Sequence, residues 1–203
     1  MSHLRPDLRQ RADELVTLYP RRRSAMLPLL HLVQEQDGYV TTEGIAEVAE
    51  LTGTSAAEVH GTASFYDMFH LEPVGRYVVG VCTNIACLLA GGQEMLEHAG
   101  EVLGAAVGAT SSDGLFTLEE TECLADCDRA PCVQVNHRYV RTTTPAAFDE
   151  LVEDLREGRR DADVPAHGTL VRVRRAVGLT VPRDEIAAQR ADARAQREAR
   201  TAT

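Results

Sequence analysis

Five cysteines stand at positions 82, 87, 123, 127 and 132, and four of them fall into two pairs. VCTNIACLLAGG carries Cys82 and Cys87 as C-x4-C, and ECLADC carries Cys123 and Cys127 as C-x3-C. Both pairs follow apolar runs of strand character, so each sits in a loop at a strand end. A small α/β sandwich can bring two such loops together at one end. No apolar run approaches a membrane span of about 18 residues. The N-terminal MSHLRPDLRQRADELV is charged and lacks the apolar stretch of a secretory signal. A cytoplasmic setting is expected, where thiols stay reduced and paired cysteines read as metal ligands before disulfides.

Four thiolates from two loops suit either a structural zinc or an iron–sulfur cluster. Zinc knuckles usually leave two to four residues between cysteines. A [2Fe–2S] cluster has two irons, each with two thiolates, and wider spacing suits the larger object. Spacing alone favours iron–sulfur and leaves zinc open. The chain has no C-x-x-C, which removes the usual dithiol redox pair. Cys132 opens the apolar run Val133-Gln134-Val135 and is expected to be a buried thiol rather than a ligand.

Charge and composition narrow the function. The net charge of −10 argues against a nucleic-acid binder. Residues 1–160 hold 13 Arg against 25 acids, whereas residues 161–203 hold 8 Arg against 6 acids, so the tail differs from the body. Lysine is absent, which excludes a Walker A loop and Schiff-base chemistry. G-x-G-x-x-G and G-x-S-x-G are also absent. His3, His31, His60, His70, His98, His137 and His167 form no ligand motif, and each reads as solvated or as a satisfied core residue. The carboxylates read as helix faces. No catalytic residue is expected: the chain reads as the holder of a cluster without a substrate pocket.

Hydrophobic periodicity gives the architecture. About four helices are expected before the first cysteine: one over Ala12–Leu18, one from Pro20 to the Gln36–Gly38 stop, one capped by Thr41 or Thr42, and one opened by the capping box Ser55–Glu58. The fourth runs towards Phe65, Tyr66, Met68 and Phe69, with Phe65 and Tyr66 expected in the core. Strands are expected at Tyr77–Cys82, Leu115–Leu118, Val133–Val135 and Tyr139–Val140, with a helix after Gly91-Gly92 and another from Pro145 to Gly158. Strand–helix–strand followed by hairpin–helix is a small α/β sandwich. The expected division is a helical bundle over 1–72, an α/β cluster domain over 73–160 and a charged, solvated extension over 161–203. Leu170–Val173 and Val177–Val181 are candidate short strands, and 183–203 reads as a frayed or disordered tail.

Four segments, in order, carry a resemblance: YPRRRSAMLPLLHLVQEQDGYV, VHGTASFYDMF, VGVCTNIACLLAGG and ECLADCDRAPCVQVNHRYV. Together they resemble the small thioredoxin-like [2Fe–2S] subunit, the E-type component, of NADH:quinone oxidoreductase, respiratory complex I. The resemblance implies a helical N-terminal bundle, a thioredoxin-like domain and one [2Fe–2S] cluster held by Cys82, Cys87, Cys123 and Cys127. It implies a flavoprotein partner that binds NADH and FMN, other peripheral-arm subunits, and a site peripheral to the inner membrane without insertion into it. Related subunits serve NAD-linked hydrogenases and formate dehydrogenases, and a zinc-stapled interaction module is the alternative of a different class. Two departures stand out. Ala125 and Asp126 occupy positions where the family often has Gly and Ala, and the Asp126 carboxylate is expected to lower the cluster's reduction potential.

Overall fold

The computed structural model describes residues 2–142 and 144–169; the candidate strands from Leu170 to Val181 and the tail over 183–203 lie outside them. Four helices come first: α1 (Pro6–Thr17), α2 (Met26–Asp37), α3 (Thr42–Thr52) and α4 (Ala56–Phe65). α1 begins earlier than its periodicity suggests. Pro6 sits in its first turn, where a missing N–H costs nothing, and Leu8 and Ala12 are its buried residues. α2 begins later than Pro20, after a 3-10 turn over Arg22–Ala25. The Thr41 side chain caps α3, and both halves of the Ser55–Glu58 capping box form at α4. Leu29, Leu30, Val33, Val48, Val59 and their neighbours make one apolar cluster.

α3 carries a feature that its periodicity hides. Ala46 is exposed and Glu47 is buried. The Glu47 carboxylate accepts from Ser2 Oγ at 2.5 Å, from the N–H groups of His3 and Leu4 at 2.7 Å each, and from Arg9 Nη1 at 2.9 Å. This carboxylate is no helix-face charge; it ties down the chain's N-terminal residues.

The second half is a four-stranded sheet in the order β2-β1-β3-β4, with β1 at Tyr77–Cys82, β2 at Phe116–Thr121, β3 at Val133–Val135 and β4 at Arg138–Val140. β1 pairs parallel with β2 and antiparallel with β3; β3 and β4 form a hairpin. The crossover from β1 to β2 runs through α5 (Ile85–Leu89) and α6 (Gly92–Leu103), and α7 (Pro145–Arg156) follows the hairpin. Tyr77, Val79 and Val81 share a core with Met95, Leu96 and Ala99 of α6 and Phe148, Leu151 and Val152 of α7. This is the thioredoxin-like α/β arrangement.

The stretch expected to be solvated begins instead by packing against this domain. Val164 is 1% exposed and belongs to the sheet core. Asp161 accepts from Tyr77 Oη at 2.7 Å and pairs with Arg76 at 2.8 Å, Asn136 Nδ2 donates to the Pro165 carbonyl at 2.8 Å, and the His167 N–H donates to the Arg76 carbonyl at 2.7 Å. Charge composition did not reveal these contacts, because each acidic or polar residue has a partner far away in sequence.

His167 meets His70, with ring centroids 4.8 Å apart. Both Nε2 atoms are buried without a hydrogen-bond partner among the described residues, so neither ring is a satisfied core histidine. Burial first, then the neighbouring His70 and His137, push the His167 pKa down to about 4; burial also lowers that of His70. A histidine with a depressed folded-state pKa binds its proton in the unfolded chain first. Stability is therefore intact above the unfolded value near 6.5 and declines as pH falls from there towards 4. Urea unfolding at pH 7 and pH 5 is expected to show an acid loss about 1–2 kcal/mol smaller in His167→Gln than in the parent. Equal losses in the two proteins would contradict this.

Candidate metal centre

β1 and β2 are parallel with Cys82 opposite Thr121, so their carboxyl ends lie side by side. The loops carrying Cys82–Cys87 and Cys123–Cys127 therefore leave the same end of the sheet. β3 runs back antiparallel to β1, which returns Cys132 to that end: the Cys82 N–H donates to the Cys132 carbonyl at 3.0 Å. The Thr83 N–H donates to the Thr121 carbonyl at 3.2 Å, and the Cys82 thiol donates to the Glu122 carbonyl at 3.6 Å.

The first loop is tightly wound. Asn84 Oδ1 accepts from the Ile85 N–H at 2.8 Å and starts α5, a short helix that periodicity does not reveal. α5 buries Cys87 and turns Ile85, Leu88 and Leu89 outward. A Cβ on Gly92 would stand 2.7 Å from the Cys82 carbonyl oxygen and 2.8 Å from that of Cys87, so only glycine allows α6 to start this close to the loop.

The second loop is looser. Ala125 has φ of 57°, in the left-handed region that glycine enters freely. The departure from the family pattern thus falls on a residue that strains alanine by about 1 kcal/mol. Cys127 opens a 3-10 turn over Cys127–Arg129, and the chain then enters β3 through the cis peptide bond of Ala130–Pro131. The Asp126 carboxylate has Arg129 Nη1 at 3.7 Å.

The cysteines differ sharply in burial. Cys82, Cys87 and Cys132 are 2%, 1% and 4% exposed and share a small apolar cluster with Leu124 and Ala130; Cys123 and Cys127 are exposed. The Cys132 thiol donates to the Asp126 carbonyl at 3.0 Å. Burial pushes the Cys87 pKa up. Burial, then Cys87, Cys82 and Asp126, push that of Cys132 up to about 12, so Cys132 is a neutral thiol at ordinary pH. The structure thus groups Cys82 and Cys87 with the buried Cys132 and leaves Cys123 and Cys127 on the surface of the same end. Among the described residues, no group of three His, Cys, Asp or Glu side chains forms a ready single-ion site.

The donor set fits a binuclear cluster. It supplies sulfur alone, two thiols from each of two loops, one pair buried and the other exposed. Each iron of a [2Fe–2S] cluster takes two thiolates, and the loops are arranged as two pairs.

Comparison with known proteins agrees with this chemistry. The family described as thioredoxin-like [2Fe-2S] ferredoxin matches residues 12–156. The E component of the NADH-quinone oxidoreductase of Mycobacterium bovis is 47% identical over 145 residues, covering 71% of this chain and 58% of the relative, so the chain spans little more than half the length of that protein. NADH-quinone oxidoreductase subunit 2 of Thermus thermophilus is 40% identical over 159 residues, covering 77% of this chain and 88% of the relative. Among solved structures, an NAD+-reducing [NiFe]-hydrogenase in the air-oxidized state matches with a TM-score of 0.60 at 23% identity, over 69% of this chain and 24% of that one, and shares the fold. Two cysteine loops at one end of a thioredoxin-like sheet, together with a match over most of the chain, establish that it belongs to the thioredoxin-like [2Fe–2S] ferredoxin family and that its cofactor is a [2Fe–2S] cluster.

Proposed function

We propose that Cys82, Cys87, Cys123 and Cys127 hold the [2Fe–2S] cluster. In this reading the chain is an electron-transfer subunit beside the flavoprotein that binds NADH and FMN in an NADH:quinone oxidoreductase. The observation that carries it is the parallel β1–β2 pair, which delivers both cysteine loops to one end of the sheet. When bound, the cluster supplies one-electron transfer. The chain's own residues supply thiolates, an apolar recess from Cys87 to Leu124, and the Asp126 charge nearby. The division proposed is a bundle over 1–72, a cluster domain over 73–160 and an extension over 161–203 whose first residues, through Val164 and His167, pack on the cluster domain. Among the described residues no helix is long and apolar enough to cross a membrane, and attachment to the membrane runs through partner subunits.

The test is electron paramagnetic resonance on anaerobic protein before and after dithionite, with iron and zinc assayed on the same sample. A rhombic signal that appears only on reduction, with two irons per chain, is expected for this cluster. One zinc per chain with neither iron nor signal would replace this reading by a zinc-stapled module.

The surroundings of the cluster loops make two more outcomes measurable. Ile85, Leu88 and Leu89 are 66%, 47% and 82% exposed on the helix that buries Cys87. An apolar face on the cluster loop is where an electron-exchanging partner docks. Leu89→Asp is expected to weaken flavoprotein binding by roughly tenfold while leaving the cluster's spectrum unchanged; undiminished binding in a titration would move the interface elsewhere. Asp126→Asn removes a negative charge near an anionic cluster, and a rise in potential on the order of 30 mV is expected, damped by Arg129. A potential that stays still or falls in a redox titration would exclude this role for Asp126.

A further inference from the structure

We infer that Tyr139 is a positioning residue for the cluster: its hydroxyl fixes the second cysteine loop at the Leu124 carbonyl and so keeps Cys123 and Cys127 in place to bind iron. The inference rests on the ligand set proposed above. Tyr139 is the middle residue of β4 and pairs with Gln134 of β3. Val133, Val135 and Val140 on either side of this pair belong to the core shared with α6 and α7, so Tyr139 stands on the opposite face of the sheet. It is 57% exposed there, and its ring adds little to packing. Its hydroxyl nevertheless donates to the Leu124 carbonyl at 2.5 Å, the short end for an O–H···O bond, between residues 15 apart in sequence.

Leu124 lies between the two exposed cysteines and is itself buried. Alternate carbonyls of this loop are each held by a side chain: Glu122 by the Cys82 thiol at 3.6 Å, Leu124 by Tyr139, and Asp126 by the Cys132 thiol at 3.0 Å. The first of these does not survive in the proposed cluster, because metal binding takes the proton from the Cys82 thiol. Tyr139 and Cys132 are outside the ligand set and keep their bonds, and Tyr139 holds the residue next to Cys123. A trans peptide unit is rigid, so fixing the Leu124 carbonyl also fixes the direction of the Ala125 N–H. That matters at a residue with φ of 57°, outside any helix or strand. The thiols of Cys123 and Cys127 are exposed, so tethers on their loop must do what packing does for Cys82 and Cys87. An iron–thiolate bond that opens closes again only while its sulfur stays within reach, and a held loop keeps that effective concentration high.

The experiment compares the full chain with Tyr139→Phe and Cys123→Ser. Phenylalanine keeps the exposed ring and removes only the hydroxyl. Each protein is assayed for iron, acid-labile sulfide, the reduced-state resonance and the rate at which excess EDTA strips the cluster, and the cluster-free forms are unfolded in urea. Tyr139→Phe is expected to lose its cluster about fivefold faster, the factor that corresponds to one ordinary hydrogen bond, with shifted g-values and a urea midpoint close to the parent's. A variant that folds like the parent but loads less iron supports the inference in the same way. Release at the parent's rate from a fully loaded Tyr139→Phe overturns it. So does a urea midpoint that falls far enough to account for the faster release, because the hydroxyl then serves the fold and not the loop. An iron-free parent, or Cys123→Ser with the parent's spectrum, overturns the ligand reading itself and this inference with it.

Discussion

Replacing Cys123 by serine is expected to abolish or alter the reduced-state resonance while leaving the polypeptide folded. Cys123 is exposed, so its thiol adds little to packing, and surface substitutions of this kind change stability by about 0.5 kcal/mol or less. Its role in the proposed cluster is a different matter. Removing a thiolate leaves an iron one soft donor short, and a serine oxygen is a harder ligand that shifts the spectrum even where it binds. Cys132→Ser serves as the counterpart: a buried thiol changes to a hydroxyl that still donates to the Asp126 carbonyl, and the cluster is expected to remain. Iron content and resonance spectra of the two variants, with urea unfolding of the cluster-free forms, separate ligation from folding. Loss in Cys132→Ser with full retention in Cys123→Ser would reverse the ligand assignment.

Glu47→Ala is expected to cost about 3 kcal/mol of folding stability. The Glu47 side chain is 6% exposed and receives Ser2, His3, Leu4 and Arg9. Burial by itself raises the Glu47 pKa, but the bonds from Ser2, Leu4, Arg9 and His3 override it and hold the carboxyl below its ordinary value. A depressed carboxylate pKa contributes stability above the unfolded value near 4.3 and loses it as pH falls through the folded one. Alanine removes the acceptor and strands two backbone N–H groups, the costly side of the hydrogen-bond asymmetry, while Arg9 keeps its pairing with Asp13. Glu47→Gln keeps one acceptor oxygen and should fall between. Equilibrium urea unfolding at pH 7 measures both, and a loss under about 1 kcal/mol in Glu47→Ala would mean that water replaces the carboxylate at little cost.

Much of this was legible in the sequence because it was local. The capping box at Ser55, the Thr41 cap and the six-residue strand at Tyr77 depend on neighbouring residues, and each formed as expected. The convergence of the cysteine loops was legible too, since strand–helix–strand connectivity makes a parallel pair. What escaped was set by distant contacts. Phe65 was expected in the core and is 79% exposed, because α4 ends there and the chain adopts an extended turn at Tyr66. Glu47 looked like a surface charge because its partners lie at the start of the chain. His70 and His167 looked unrelated because nearly half the sequence separates them. α5 is too short for periodicity to reveal, and its cap, Asn84, is one residue among many of its kind. The resemblance named the four ligand candidates, but their unequal burial depends on how the two loops pack and leaves no local signature.

The parallel pairing of β1 and β2 also sets a timetable for biosynthesis. Cys82 and Cys87 leave the ribosome well before Cys123, and the entire α5–α6 crossover must be made and closed before the second loop has a neighbour. Such non-local pairing is slow relative to helix formation, because loop-closure entropy is spent before the contacts that offset it exist. The bundle of α1–α4 has mostly local contacts and emerges first, so it can condense while the sheet is still incomplete. A nascent chain therefore carries its first thiol pair unshielded through the interval. With the proposed ligand set, a cluster that joins both loops after the crossover has closed acts as a clasp across the least local part of the topology.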